Sequence, residues 1–256
     1  MWESLAMRFE EVADIVDGHP HMRRRAGRKV YDHIIRTDAR RVLELGTFHG
    51  VSTCYLAAAV DELGSGRVVT MDRLGAERLD PNVYQLLDRT GLADRVDVVL
   101  AERSYTWELK RLLEQDPRPQ FDFVFLDAGH VWDVTGFAFF LVDQMLAPGG
   151  WLLFDDLDWS YATSPSLSAK ESTMSIPEEE REAQQVKAVF ETLVARHGGY
   201  RTRIDGNWGW AQKSLATPVG NAPAPHTSRV RTVATDAWGR ASHLSSRLAA
   251  RARRRG

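Results

Sequence analysis

Three carboxylates and an imidazole stand where two apolar runs give out. Phe121–Leu126 leads into Asp127-Ala128-Gly129-His130, and Gly150–Phe154 leads into Asp155-Asp156. If both runs are parallel strands of one sheet, these side chains meet at its carboxyl edge, where open α/β sheets bind ligands. Three like charges at one rim repel unless a cation sits among them. Hard oxygen donors suit Mg²⁺ or a similar divalent ion, with positions left for water and substrate oxygens. An imidazole beside them, with an ordinary pKa of ~6.5, has the basicity to take a proton from a hydroxyl. Asp127 and His130 are therefore the expected catalytic pair and Asp127, Asp155 and Asp156 the expected metal ligands, with Asp133 a second candidate for the base.

A second constellation lies upstream. Arg41–Leu45 is followed by Gly46-Thr47-Phe48-His49-Gly50 and a helical pattern from Ser52, so backbone N–H groups and a helix start face one ligand. Asp72 comes 22 residues after Gly50, at the end of the next apolar run, where it can accept hydrogen bonds from ribose hydroxyls. The spacing is G-x-x-x-G, with Phe48 where a dinucleotide turn has its middle glycine. That disfavours close approach of a pyrophosphate and suits a cofactor without phosphates.

The elements needed to position these groups follow from a strand–helix rhythm. Strands are expected at Arg41–Leu45, Arg67–Met71, Val96–Leu100, Phe121–Leu126 and Gly150–Phe154, nearly continuous apolar runs that fit burial on both faces. Helices are expected at Ser52–Leu63, Pro81–Thr90, Trp107–Gln115 and Val131–Leu146, with two more upstream at Glu3–Val16 and His21–Arg36. Pro177 opens another, running to about His197 before Gly198-Gly199. Tyr200–Ile204 and Trp208–Lys213 flank the hairpin signal Asp205-Gly206-Asn207, and Leu157–Ile176 reads as a loop. The fold class is α/β: a doubly wound, mostly parallel seven-stranded sheet with helices on both faces and the last strand antiparallel.

The stretch Glu44-Leu45-Gly46-Thr47-Phe48-His49-Gly50-Val51-Ser52 resembles the first motif of class I S-adenosylmethionine-dependent methyltransferases, especially the metal-dependent catechol and caffeoyl-CoA O-methyltransferase type. The resemblance covers roughly residues 28–213. It implies that Glu44, Gly46, Thr47, Gly50 and Ser52 hold the methionine part of the donor, Asp72 the ribose, and Glu102 and Arg103 the adenine. It also implies that Asp127, Asp155 and Asp156 ligate the metal. His130 stands where those enzymes carry a catalytic lysine, and Glu102 and Arg103 depart from the small polar residues common beside adenine. The implied activity is methyl transfer from S-adenosyl-L-methionine to a hydroxyl of a small molecule, assisted by Mg²⁺ or a similar cation.

Composition bounds the alternatives. The chain has 256 residues, 43% hydrophobic and 27% charged, with net charge −2 and mean hydropathy −0.34. These values exclude a collagen-like, wholly disordered or membrane-spanning chain. A single cysteine, Cys54, and no apolar leader after Met1-Trp2-Glu3-Ser4 fit a cytoplasmic protein. Residues 215–256 hold eight Arg against one acid, which leaves an acidic body unlike a nucleic-acid binder. The expected organisation is N-terminal lid helices over 1–40, a donor-binding domain over 41–214, and a flexible linker with a basic tail over 215–256. Expected partners are a small-molecule hydroxyl acceptor and a second copy in a homo-oligomer, with no nucleic acid or membrane. Two other readings stay open: a metal-independent methyltransferase, and a dinucleotide-dependent oxidoreductase on a similar sheet.

Overall fold

The computed structural model describes residues 2–215, with side chains from Arg8 onward; the linker and tail expected beyond Leu215 lie outside the described residues. Strands β1 (Arg41–Leu45), β2 (Arg67–Arg73), β3 (Val96–Ala101), β4 (Phe121–Leu126), β5 (Leu146–Phe154), β6 (Tyr200–Asp205) and β7 (Trp208–Lys213) form one sheet. Its order is β3-β2-β1-β4-β5-β7-β6. The first five strands run parallel, and β7 is antiparallel to both β5 and β6. The order reverses at β1, which lies between β2 and β4, so the ligand crevice of such a sheet falls beyond Leu45 and Leu126.

Alternation along the central strands builds two apolar layers, because successive side chains leave a strand on opposite faces. Val42, Phe123, Phe125 and Leu153 face one layer. Leu43, Leu45, Val124, Leu126, Leu152 and Phe154 face the other. The first layer is covered by α1 (Trp2–Val16), α2 (Arg24–Thr37), α3 (Val51–Glu62) and α4 (Val83–Thr90); the second by α5 (Tyr105–Leu113) and α6 (Trp132–Asp143). Every residue of α3 from Val51 to Val60 is buried, the pattern of a helix enclosed on all sides. Among the described residues no helix is long and apolar enough to cross a membrane.

Gly27 lets α2 press onto α3. A Cβ there would lie 2.4 Å from two carbons of the Tyr55 ring, and that ring is buried and stacked on Phe9 at 5.3 Å. It has nowhere to swing. Gly27→Ala is expected to lower stability by about 1–3 kcal/mol despite alanine's better helix propensity, read as a lower urea midpoint at unchanged slope.

Two expected helices differ from those observed. The helix expected over Val131–Leu146 stops at Asp143, and Leu146 opens β5, paired with Phe121. The helix expected from Pro177 to His197 is broken into α8 (Glu178–Glu182), α9 (Gln185–Val189) and a π turn at Phe190–Val194. Ala183 is extended there, with φ −61° and ψ 134°. The break lets the buried Gln185 amide reach both sides: its Oε1 accepts from the Trp132 backbone N–H at 2.8 Å, and its Nε2 donates to the Glu180 carbonyl at 3.0 Å. A tertiary bond that braces the start of α6 thus overrides helical propensity. The expected loop over Leu157–Ile176 is irregular apart from α7, one turn at Glu171–Met174.

Candidate active site

The turn after β1 is built on backbone that only glycine adopts freely. Gly46 has φ +106°, and a Cβ on it would lie 2.1 Å from the Asp127 carbonyl oxygen. Gly50, at φ +92°, precedes α3, and a Cβ on it would lie 2.7 Å from Val83 Cγ2. The turn at β1 and the strand end at β4 are therefore in direct backbone contact.

Asp72 reaches that turn. Its Oδ2 accepts from the backbone N–H groups of Thr47 at 2.9 Å and Phe48 at 2.7 Å, so the acid spaced 22 residues after Gly50 clasps the amides of the loop. Glu44 lies beneath, fully buried. Its Oε2 accepts from the hydroxyls of Thr53 at 2.5 Å and Thr70 at 2.6 Å, and its Oε1 has no partner. Burial pushes its pKa up to about 7 against those hydrogen bonds. Thr47 joins the set through its hydroxyl, 2.6 Å from that of Thr70, and Ser52 is buried in the first turn of α3. Glu102 and Arg103 follow β3, beyond the rung that pairs Asp72 with Leu100, and both are exposed.

The acidic rim gathers as two groups. Donor atoms of Asp127, His130 and Asp156 all lie within 4.8 Å of one another. His130 Nε2 is 3.1 Å from Asp156 Oδ2 and 3.6 Å from Asp127 Oδ1. The atom is buried and makes no aligned hydrogen bond to either. Burial alone would lower the His130 pKa, but the two carboxylates outweigh it and raise it to about 9. Burial raises Asp127, whereas the contact with His130 lowers Asp156. Asp155 faces elsewhere, accepting from the Trp208 indole N–H at 2.8 Å. Burial first, then the charges of Asp127 and Asp156, push its pKa up to about 7. Asp133 is not brought in; it is exposed and accepts from the Val134 N–H at its own helix start.

One imidazolium does not balance three carboxylates. Raised carboxyl pKa values and a buried ring nitrogen without an aligned partner describe a site short of positive charge. The carboxylate oxygens beside it are hard donors that a divalent cation fits. Asp156 also holds a left-handed backbone at φ +56°, strain of a kind that concentrates at functional sites.

Sequence reasoning missed the residues that set this rim. Asn207, read only as part of a hairpin turn, donates from Nδ2 to Asp156 Oδ1 at 3.1 Å. It accepts at Oδ1 from the Asp158 N–H at 2.7 Å. Trp208 and Trp210 are both buried in the first apolar layer. Trp159 instead stacks on His130 at 5.3 Å, with Tyr161 a further 5.0 Å on. His21, with φ +90°, packs edge-on against the exposed Phe48 of the glycine turn at 4.4 Å. Its positive φ has no signature in the sequence. His49 approaches the Pro81 carbonyl, and Cys54 is buried, as a small core residue would be.

Residues 43–157 match a family described as a methyltransferase domain. The chain is 28% identical over 160 residues to a caffeoyl-CoA O-methyltransferase of Populus kitakamiensis, a stretch covering 62% of each chain; it thus spans about three fifths of the length of that curated relative. An O-methyltransferase from Bacillus cereus solved with S-adenosylhomocysteine superposes with TM-score 0.57 at 20% identity, over 83% of this chain and 91% of that one. The O-methyltransferase TomG of Streptomyces achromogenes, solved with S-adenosylmethionine, gives 0.56 at 20% identity over 83% and 90%. At that identity the likeness establishes the fold. The stretch that matches the methyltransferase domain takes in both the glycine turn and the acidic strand ends, on a sheet with the fold of these solved O-methyltransferases. In sequence the chain resembles a caffeoyl-CoA O-methyltransferase.

Proposed function

We propose that the chain transfers a methyl group from S-adenosyl-L-methionine to a hydroxyl of a small molecule, assisted by Mg²⁺ or a similar divalent cation. The observation that carries this reading is the contact of the two constellations: Gly46 of the donor turn lies against the carbonyl of Asp127, whose side chain belongs to the acidic rim. A reaction between a donor on one and a hydroxyl on the other needs that adjacency, since positioning supplies much of the acceleration.

In this reading the turn Gly46–Gly50, with Glu44, Thr47 and Ser52 behind it, holds the methionine part of the donor. Asp72 holds the ribose, and Glu102 and Arg103 border the adenine. Asp127 and Asp156 are the carboxylates that would hold the cation; Asp155, expected with them, is turned to the Trp208 indole instead. When bound, the donor supplies an electrophilic methyl and the cation lowers the acidity threshold of the hydroxyl. His130 Nε2 is the chain's own proton acceptor. Its two flanking carboxylates favour the protonated ring, so the base form is reached when their charge is otherwise balanced. Trp159 and Tyr161 offer flat surface beside His130 for the acceptor. Residues 1–40 serve as lid helices and 41–214 as the donor-binding domain.

Calorimetry tests the donor half: S-adenosylhomocysteine is expected to bind with saturation and NAD not at all. For the acceptor half, a panel of phenols, sugars and polyketide hydroxyls is assayed before and after EDTA. Transfer that disappears with EDTA and returns with Mg²⁺ supports the cation; transfer untouched by exhaustive EDTA removes it from the reading.

A further inference from the structure

Away from the acidic rim, α2 and the β6–β7 hairpin border an open cavity of about 230 Å³. Lys29, His33 and Arg36 line it from one face of α2, and Arg203, Asp205 and Trp210 from the hairpin. None of these belongs to the Asp127–His130–Asp156 cluster. His33 and Trp210 are each 2% exposed, with ring centroids 4.6 Å apart.

Their hydrogen bonding is incomplete in the same sense. Arg36 Nη2 lies 3.1 Å from His33 Nδ1. A guanidinium only donates, so Nδ1 is the acceptor and the ring proton sits on Nε2. Burial, with the charges of Arg36 and Arg203, holds the ring neutral by pushing its pKa down to about 3. The Nε2–H of His33 has no partner, and neither has the Nε1–H of Trp210. Buried donors without acceptors are rare and costly, and each calls for something that brings an oxygen.

Charge points to what brings it. Asp205 is taken by Lys29 at 3.2 Å, with Arg203 at 3.9 Å from the same carboxylate. Asp32, also at the cavity, is paired with Arg28 at 2.8 Å. Among the described residues Arg36 has no carboxylate partner, and Arg203 lies over the Trp210 ring at 4.9 Å. The cavity therefore has a surplus of cations, and two of the rings that line it carry unpaired N–H donors. A water would bring two protons of its own into this surrounding, whereas an oxyanion brings only lone pairs. We propose that this cavity is a binding site for a small oxyanion, a carboxylate or a phosphate, held by Arg36 and Arg203 with the His33 and Trp210 N–H groups beneath.

The test titrates the full chain with inorganic phosphate and, separately, with acetate, following tryptophan fluorescence and heat. Saturable one-to-one binding of either, with a dissociation constant at or below ~10 mM, is expected. Phosphate binding more tightly indicates a dianion site, and equal affinities a site for one carboxylate. Arg36→Gln, and separately Trp210→Phe, which keeps an aromatic ring but deletes the N–H with the rest of the indole, should each weaken binding about tenfold or more. Arg23→Gln, outside the cavity, should leave it unchanged. S-adenosylhomocysteine affinity, measured on the same samples, reports that the variants are folded. No saturation by either anion up to ~100 mM, or equal binding by wild type and both cavity variants, would overturn the proposal and leave the two donors to water.

Discussion

Asp127→Asn is expected to reduce methyl transfer about a thousandfold or more, roughly 4 kcal/mol of transition-state stabilisation. S-adenosylhomocysteine affinity should change by less than about threefold. Asparagine keeps the size of the side chain, so the β4 end and its backbone contact with Gly46 persist. What disappears is one charge from a cluster whose atoms lie within 4.8 Å of one another. His130 loses a carboxylate 3.6 Å away, and a cation would lose a ligand. Single-turnover rates beside calorimetry with S-adenosylhomocysteine separate chemistry from donor binding. A matching loss of donor affinity would make Asp127 a scaffold residue, and a retained rate would remove the cluster from the reaction. Asp133→Asn is the control: that side chain is exposed, outside the cluster, and its rate should hold within about threefold.

Gly46→Ala is expected to weaken S-adenosylhomocysteine binding by about a hundredfold or more, near 3 kcal/mol. Two penalties coincide at this residue. At φ +106° an L side chain is strained by about 1–2 kcal/mol. The new methyl would also lie 2.1 Å from a backbone oxygen, which cannot rotate aside as a side chain would. Either the turn lifts from β4 or the Thr47 and Phe48 amides leave Asp72, and both spoil the proposed donor cradle. Gly206→Ala measures conformational strain alone, because Gly206 has φ +64° and open space around it. It should cost about 1 kcal/mol of stability and leave donor affinity intact. Equal behaviour of the two variants would show that the contact at Gly46 is not what forms the cradle.

Much of this arrangement was legible in the sequence where the signal is local. Buried parallel strands need continuous apolar runs, and Arg41–Leu45 and Phe121–Leu126 match the observed β1 and β4 at both ends, as Trp208–Lys213, beside its hairpin signal, matches the antiparallel β7. The glycine turn and Asp72 were legible because a strand–turn–helix unit fixes its own spacing. The rim was legible only as a set of residues. Which carboxylate faces His130 and which faces Trp208 depends on β7 lying beside β5, a pairing between residues more than fifty positions apart. Asn207 gave only a turn signal, because nothing in Asp205-Gly206-Asn207 says what lies across from it. The interruption at Ala183 was invisible for the same reason: Gln185 serves a bond to Trp132, far away in sequence.

The insertion of β7 between β5 and β6 bears on the order in which the molecule becomes competent. A ribosome releases the glycine turn, Asp72 and all three rim acids well before Asn207 and Trp208 emerge. A nascent chain stalled at residue 200 thus carries every acidic group yet lacks the amide and the indole that aim two of them. Maturation of the rim is tied to completion of the sheet, so unfinished chains present loosely oriented carboxylates.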